Sequence, residues 1–271
     1  MGQRPAQSVS LALCLGGFDP SGGAGILRDV ITLSSFGIHP MALRTAETVQ
    51  NGEGCLGIAP PEPDPMAQLE ALLPHLRGAW GLKVGMMALP PRLRRELLGR
   101  LQELGPRFRI WDPILGPTRG VPLHSGETLL EMAGEILPAG GWIVSPNWVE
   151  AEALGRAAGA RLAEPGAMVQ PLLDAGAEAV WMKGGHREGA VVEDLWITPA
   201  GVKGLGPRVR QPGSIRGTGC ALASAWLALR LLGRESREAA LEASRWLDGR
   251  RGSSAVPGSF GRPTLPPGGA A

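Results

Sequence analysis

Two short glycine-rich runs hold the residue types best suited to chemistry. Gly217-Thr218-Gly219-Cys220 stands directly before a strongly apolar, helix-like stretch. Its glycines let consecutive backbone N–H groups converge on one point, and a helix N-terminus adds partial positive charge, so the run suits an anion such as phosphate. A thiol at that terminus has its thiolate favoured and could take a proton from an attacking hydroxyl. The same residues also fit a flexible turn with a buried, inert cysteine. The second run, Gly16 to Gly25, includes Asp19-Pro20-Ser21-Gly22-Gly23-Ala24 and follows an apolar, strand-like segment. It is long enough to fold against a flat ligand, and it fits a plain strand-to-helix turn equally well. As a pair, the earlier run shapes a small-molecule pocket and the later one cradles phosphate. No Gly-x4-Gly-Lys-Ser/Thr run is present, so a Walker-type nucleotide site is excluded.

Other fragments add polar groups. Asn147 and Glu150 share a helix face at i, i+3 spacing. They suit either Mg²⁺ organised through water or an N-terminal capping box. The Gln50 amide has the donor and acceptor needed to pair with an aminopyrimidine edge. Lys183, in Lys183-Gly184-Gly185-His186, could neutralise phosphate as a point charge. His39, His75, His124 and His186 show no metal spacing.

The elements that must position these residues alternate. Strand-like runs are expected at Val9–Leu15, within Pro40–Gln50, and at Trp80–Val84, Phe108–Trp111, Trp142–Ser145, Ala179–Lys183 and Val191–Ile197. Helix-like runs are expected at Gly23–Phe36, Pro65–Leu76, Pro90–Leu104, Ser125–Leu137, Trp148–Ala158, Gly166–Ala175, Thr218–Leu232 and Ser236–Leu247. This alternation predicts a layered α/β fold with a mostly parallel central sheet. Sites in such sheets lie at the carboxyl ends of the strands, where Gly16–Gly25, Gln50-Asn51, Gly85-Met86, Asp112-Pro113 and Asn147 all fall. One domain is expected over residues 1–250, with a Pro/Gly-rich, disordered tail over 251–271.

Composition narrows the class. The chain has 271 residues, 19% charged, with a formal net charge of +2, too small for nucleic acid or a membrane surface to be the main partner. Three cysteines with no metal spacing and no even framework favour a reducing compartment, and the cytoplasm is expected. Aromatic bulk rests on 8 Trp, with 4 Phe and no Tyr.

From about Ala12 to Gly233 these fragments, in this order, resemble the hydroxymethylpyrimidine/phosphomethylpyrimidine kinases of thiamine biosynthesis, in the ribokinase-like superfamily. The resemblance rests on Gly17 to Ile26, Asp29, Thr45-Ala46 with Gln50-Asn51, Lys83-Val84-Gly85-Met86, Asp112-Pro113, Pro146-Asn147 with Glu150-Ala151, Lys183-Gly184-Gly185-His186 and Gly217-Thr218-Gly219-Cys220. It implies a ribokinase-like three-layer sandwich. The implied reaction is ATP- and Mg²⁺-dependent phosphorylation of 4-amino-5-hydroxymethyl-2-methylpyrimidine and then of its monophosphate. It places Gly17, Asp19, Ala24, Gln50, Met86 and Ile114 at the pyrimidine. Cys220 is implied as base, with the amides of 217–220 as anion hole. Asn147 and Glu150 organise Mg²⁺, with Asp112 a further candidate, and Lys183 and Arg216 lie toward the nucleotide. A homodimer is implied. Pyridoxal or pyridoxine kinase activity, and pyrimidine binding with weak catalysis, are the alternatives. The chain departs from the family at Phe18 and Glu47, at Ser214-Ile215-Arg216 in place of Asn-Thr-His, at Thr118–Val121, and in its tail.

Overall fold

The computed structural model describes residues 9–116, 123–186 and 189–266. In chain order the elements are β1 (Leu11–Phe18), α1 (Gly25–Ser35), β2 (His39–Gln50), β3 (Cys55–Ala59), α2 (Pro65–Leu72), β4 (Trp80–Val84), α3 (Pro91–Glu103) and β5 (Phe108–Trp111). They continue with α4 (Gly126–Ile136), β6 (Trp142–Val144), α5 (Trp148–Ala157), α6 (Pro165–Asp174), β7 (Ala177–Met182), β8 (Val191–Val192) and β9 (Leu195–Thr198). The last are β10 (Gly201–Gly204), β11 (Arg208–Val209), α7 (Thr218–Leu231) and α8 (Ser236–Arg251).

Nine strands form one sheet in the order β10-β9-β7-β6-β5-β4-β1-β2-β3. The pairings from β2 through β1, β4, β5 and β6 to β7 are parallel, and the flanking pairings are antiparallel. Alternation along each strand sorts its side chains between two cores. Ala12, Cys14, Ile110, Ile143 and Trp181 face α1, α7 and α8. Leu13, Leu15, Val84, Trp111 and Val144 face α2 to α6. Helices on both faces of a mostly parallel sheet make the three expected layers. Trp80, Trp111, Trp142, Trp181 and Trp226 are fully buried, supplying the bulk that a chain without Tyr must find elsewhere.

Four expectations change. A strand, β3, pairs antiparallel with β2, making a hairpin around Asn51–Gly54. The expected strand Val191–Ile197 is two, because Glu193-Asp194 interrupts it: β8 pairs with β11 in a small separate sheet, and β9 joins the main one. Helix α8 runs on to Arg251, where Asp248 is tied to Arg208 at 2.7 Å. Finally, residues 252–266 do not form the expected loose tail. They fold back as a strap. Leu265 is only 2% exposed in the α1/α7/α8 core, and the Thr264 and Ala255 N–H groups each donate to the other residue's carbonyl at 2.9 and 3.1 Å. One buried leucine and this pairing hold a segment whose composition suggested none. The Thr118–Val121 departure lies outside the described residues.

Candidate active site

A cavity of about 670 Å³ opens at the carboxyl ends of the parallel strands, within the size range of small-molecule sites. Gly17, Asp19, Ala24, Gln50, Met86, Asp112, Ile114, Asn147, Glu150, Lys183, Arg216, Gly217, Thr218, Gly219 and Cys220 all line it. Every expected site residue is therefore brought to one space.

The two glycine-rich loops touch. Gly217 is the N-cap of α7 at φ 72°, left-handed backbone that favours glycine, and a Cβ there would strike the Gly23 carbonyl oxygen. Cys220 stands in the first turn of α7, with the Gly25 N–H drawing its proton affinity slightly down. Thiolate is not favoured there, contrary to the expectation for a helix N-terminus. The side chain is 8% exposed. Burial pushes the thiol up to about 11, against a downward pull from Lys83 and with Asp29 and Asp112 adding to the rise. Desolvation of the charged form outweighs the helix terminus.

Asp19 organises the part of the cavity beside the first glycine-rich loop. Its Oδ2 accepts from the Ala24 N–H at 2.9 Å, Gln50 Nε2 at 3.0 Å and Arg216 Nη2 at 3.0 Å. The Ser21 hydroxyl donates to Oδ1 at 2.7 Å. Gln50 thus keeps its carbonyl oxygen and one N–H for a ligand. Arg216, expected at the nucleotide, is instead turned to the first loop: besides Asp19, its Nη1 donates to Ser21 at 2.9 Å. The Arg216 N–H donates to the Pro263 carbonyl at 2.9 Å, so the strap steadies the residue preceding the anion loop. The strap also reaches the hairpin, where the Arg262 N–H donates to the Gly52 carbonyl at 3.1 Å. Across the pocket, the Thr45 hydroxyl donates to the Met86 carbonyl.

The other end is acidic and cationic together. Lys183 Nζ donates to Asp112 Oδ1 at 2.7 Å. A Cβ on Gly219 would stand 3.5 Å from that ammonium and 3.9 Å from Asp112 Oδ2, so both groups face the anion loop. Burial opposes the Lys183 charge, but Asp112 and Glu150 outweigh it and hold the ammonium above its ordinary value. Asn147 and Glu150 form a complete capping box: the Glu150 N–H donates to Asn147 Oδ1 at 3.0 Å, and the Asn147 N–H to Glu150 Oε2 at 2.7 Å. The capping reading therefore holds, yet both residues also line the cavity. Burial raises the Glu150 carboxyl to about 7, with Lys183 pulling it down and Asp112 pushing it further up. Asp112 and Glu150 both line the cavity, and carboxylate oxygens are the donor type a hard cation takes. Among the described residues there is no cluster of three or more His, Cys, Asp or Glu able to hold a metal alone.

Beyond these residues lies a second reach of the cavity, which the motifs missed. Asp194 is buried there, accepting from the Gly184 N–H at 2.8 Å, Arg208 at 2.9 Å and Ser244 at 2.7 Å. Its signal in the sequence was the acidic break inside an otherwise apolar run. The loop 210–214 roofs this end beside Asp248 and Arg251.

A ribokinase-like α/β sandwich whose two glycine-rich loops meet at one cavity, with no P-loop in the sequence, has the architecture of a small-molecule kinase. By sequence, the chain belongs to the phosphomethylpyrimidine kinase family, whose pattern matches residues 19–262. It is 36% identical over 239 residues to the hydroxymethylpyrimidine/phosphomethylpyrimidine kinase of Salmonella typhimurium, covering 87% of this chain and 88% of that one. It is 33% identical over 242 residues to the Escherichia coli enzyme of the same name, again covering 87% and 88%. In fold it resembles the Staphylococcus aureus pyridoxal kinase solved with AMP-PCP, with a TM-score of 0.79 at 22% identity over 95% of this chain and 93% of that one. It also resembles the phosphomethylpyrimidine kinase of Clostridium difficile 630, with a TM-score of 0.70 at 26% identity over 89% and 98%. Among the described residues no helix is long and apolar enough to cross a membrane.

Proposed function

We propose that this chain transfers the γ-phosphate of ATP to the hydroxymethyl oxygen of 4-amino-5-hydroxymethyl-2-methylpyrimidine, and then phosphorylates the resulting monophosphate, in thiamine biosynthesis. One observation carries the reading: the Cys220 thiol and the anion loop open onto the same cavity as Gln50 and Met86. The Gln50 carbonyl and remaining N–H pair with the aminopyrimidine edge, and Gly17, Met86 and Ile114 flank the ring. The substrate hydroxyl then approaches Cys220. The amides of 217–220 and the Lys183 ammonium offset charge on the moving phosphoryl group. Asp112 and Glu150, the latter set by Asn147, would hold Mg²⁺. Bound there, Mg²⁺ would neutralise nucleotide phosphate charge. Lys183 and the Asp194/Arg208 end take the nucleotide. With the thiol pushed up to about 11, the thiolate is a minority form at pH 7.

The test is incubation with ATP·Mg and the pyrimidine alcohol, resolving mono- and diphosphate products by mass, with pyridoxal run in parallel. Both pyrimidine phosphates are expected. Faster turnover of pyridoxal would overturn the substrate assignment, and pyrimidine binding without ATP binding would overturn the kinase reading. In the Cys220→Ala variant, kcat is expected to fall by about 10²- to 10⁴-fold with little change in substrate affinity, the range for loss of a general base. Unchanged turnover would remove Cys220 from that role.

A further inference from the structure

Behind the cavity wall lies a set of charges that the reaction above does not use. Lys83 and Asp29 are each 1% exposed, and Lys83 Nζ donates to Asp29 Oδ1 at 2.6 Å. The Ser224 hydroxyl donates to the same oxygen at 2.9 Å. The three residues come from β4, α1 and α7. Ser224 follows Cys220 by four residues on α7, so the two share a helix face. A Cβ on Gly85 would stand 3.5 Å from Lys83 Nζ and 3.7 Å from Ile114, which lines the cavity. The ammonium therefore sits one atomic layer behind the pocket.

Such a pair is a poor choice for stability alone. Removing two charges from water costs about what their attraction returns, and apolar residues of similar volume hold a core as well or better. A buried pair does supply fixed charge where little solvent screens it. We propose that Lys83 and Asp29 position charge for Cys220: the Lys83 ammonium supports a thiolate at that sulfur, and Asp29, anchored by Ser224, limits how strongly the sulfur feels it. The charged and titratable groups that couple electrostatically to Cys220 are Cys14 on β1, Arg28 and Asp29 on α1, Lys83 on β4, Asp112 after β5 and Lys183 after β7. Among the groups that move the Cys220 thiol, Lys83 pulls it down most, and Asp29 is the carboxylate that pushes it up most. Lys183 is already neutralised by Asp112. Lys83 and Asp29 are positioning residues, neither one touching the substrate.

The link to turnover rests on Cys220 acting as base, whereas the titration of its thiol does not. The test is iodoacetamide labelling of the full chain from pH 6 to 10.5, quantified on the Cys220 peptide by mass spectrometry. Lys83→Met is expected to slow labelling at pH 8 by about tenfold and Asp29→Asn to speed it by about tenfold, the effect of one pKa unit in each direction. The double variant should return to within about threefold of the parent. A merely structural pair would behave differently, since loosening the core would admit water and speed labelling in both single variants. Shifts of the same sign in both, or changes below about twofold in both, would overturn the proposal. If Lys83→Met does not fold, Asp29→Asn and the double variant carry the same comparison. Steady-state kinetics separate the two readings. A tenfold drop in kcat for Lys83→Met with unchanged pyrimidine KM supports both. The labelling shifts without any change in kcat would uphold the charge pair and overturn Cys220 as base.

Discussion

A single carbonyl oxygen decides what can stand at position 217. The Gly23 carbonyl fills the space that any Cβ would need, and the backbone is left-handed there. Gly217→Ala is therefore expected to cost about 1–3 kcal/mol of stability and to lower kcat, because the loop must back away from Gly23 and carry its amides with it. Denaturant unfolding and steady-state kinetics on the same preparation check this, and unchanged values in both would contradict the packing. Cys220 gives a second residue-scale expectation. A base whose proton leaves near 11 works in its deprotonated form, so kcat should climb from pH 7 to 9 by up to about tenfold per unit. A flat profile would assign the proton elsewhere. The third concerns Gln50. Gln50→Ala removes both the ligand-facing amide and a hydrogen bond to Asp19, and calorimetric titration with the pyrimidine alcohol should show weaker binding by about tenfold, consistent with loss of one or two hydrogen bonds.

At the scale of elements, legibility tracked pattern. β4 and β5 occupy the expected residues because each is a short, mostly apolar run with one basic residue, bounded by turn formers. β10 is exposed throughout and carries no alternation to read. Asn147 and Glu150 were open to two readings because cap and ligand need the same spacing, and only the reciprocal hydrogen bonds identify the cap. Just before α4, His124 shows what local sequence does not reveal. Its Nε2 is buried with no hydrogen-bond partner among the described residues, and burial, aided by Arg94, lowers the ring to about 4. An unfolded histidine binds its proton near 6.5, so between about 6.5 and 4 the unfolded chain holds more protons. Stability from the neutral ring is thus present above about 6.5 and lost as pH falls toward 4. His124→Asn should flatten the fall in Tm between pH 7 and 4.5 relative to the parent, and equal slopes would contradict the burial.

Across the whole molecule, the rim of the sheet was legible because each parallel strand ends in a polar or glycine-rich fragment, and such ends converge. Pairings between distant polar residues were not, since Asp19 with Arg216 and Asp29 with Lys83 leave no periodicity behind. The strap was hidden for a related reason, its anchor being one leucine amid prolines and glycines. Leu265→Ala should lower stability by about 2–4 kcal/mol, the usual cost of emptying a buried leucine site, with a fall in Tm of several degrees by calorimetry. A change below about 0.5 kcal/mol would mean that the strap is held elsewhere. A ribosome delivers this architecture in a fixed order. Gly217 to Cys220 emerge while Pro263, which steadies Arg216, has yet to be translated, so the nascent chain owns its sulfur and its amides before it owns their brace. Competence to trap a ligand is thereby tied to residues made well after Cys220, and a growing chain stalled short of Leu265 should be a poor receptor for the molecule that a chain extended past it holds.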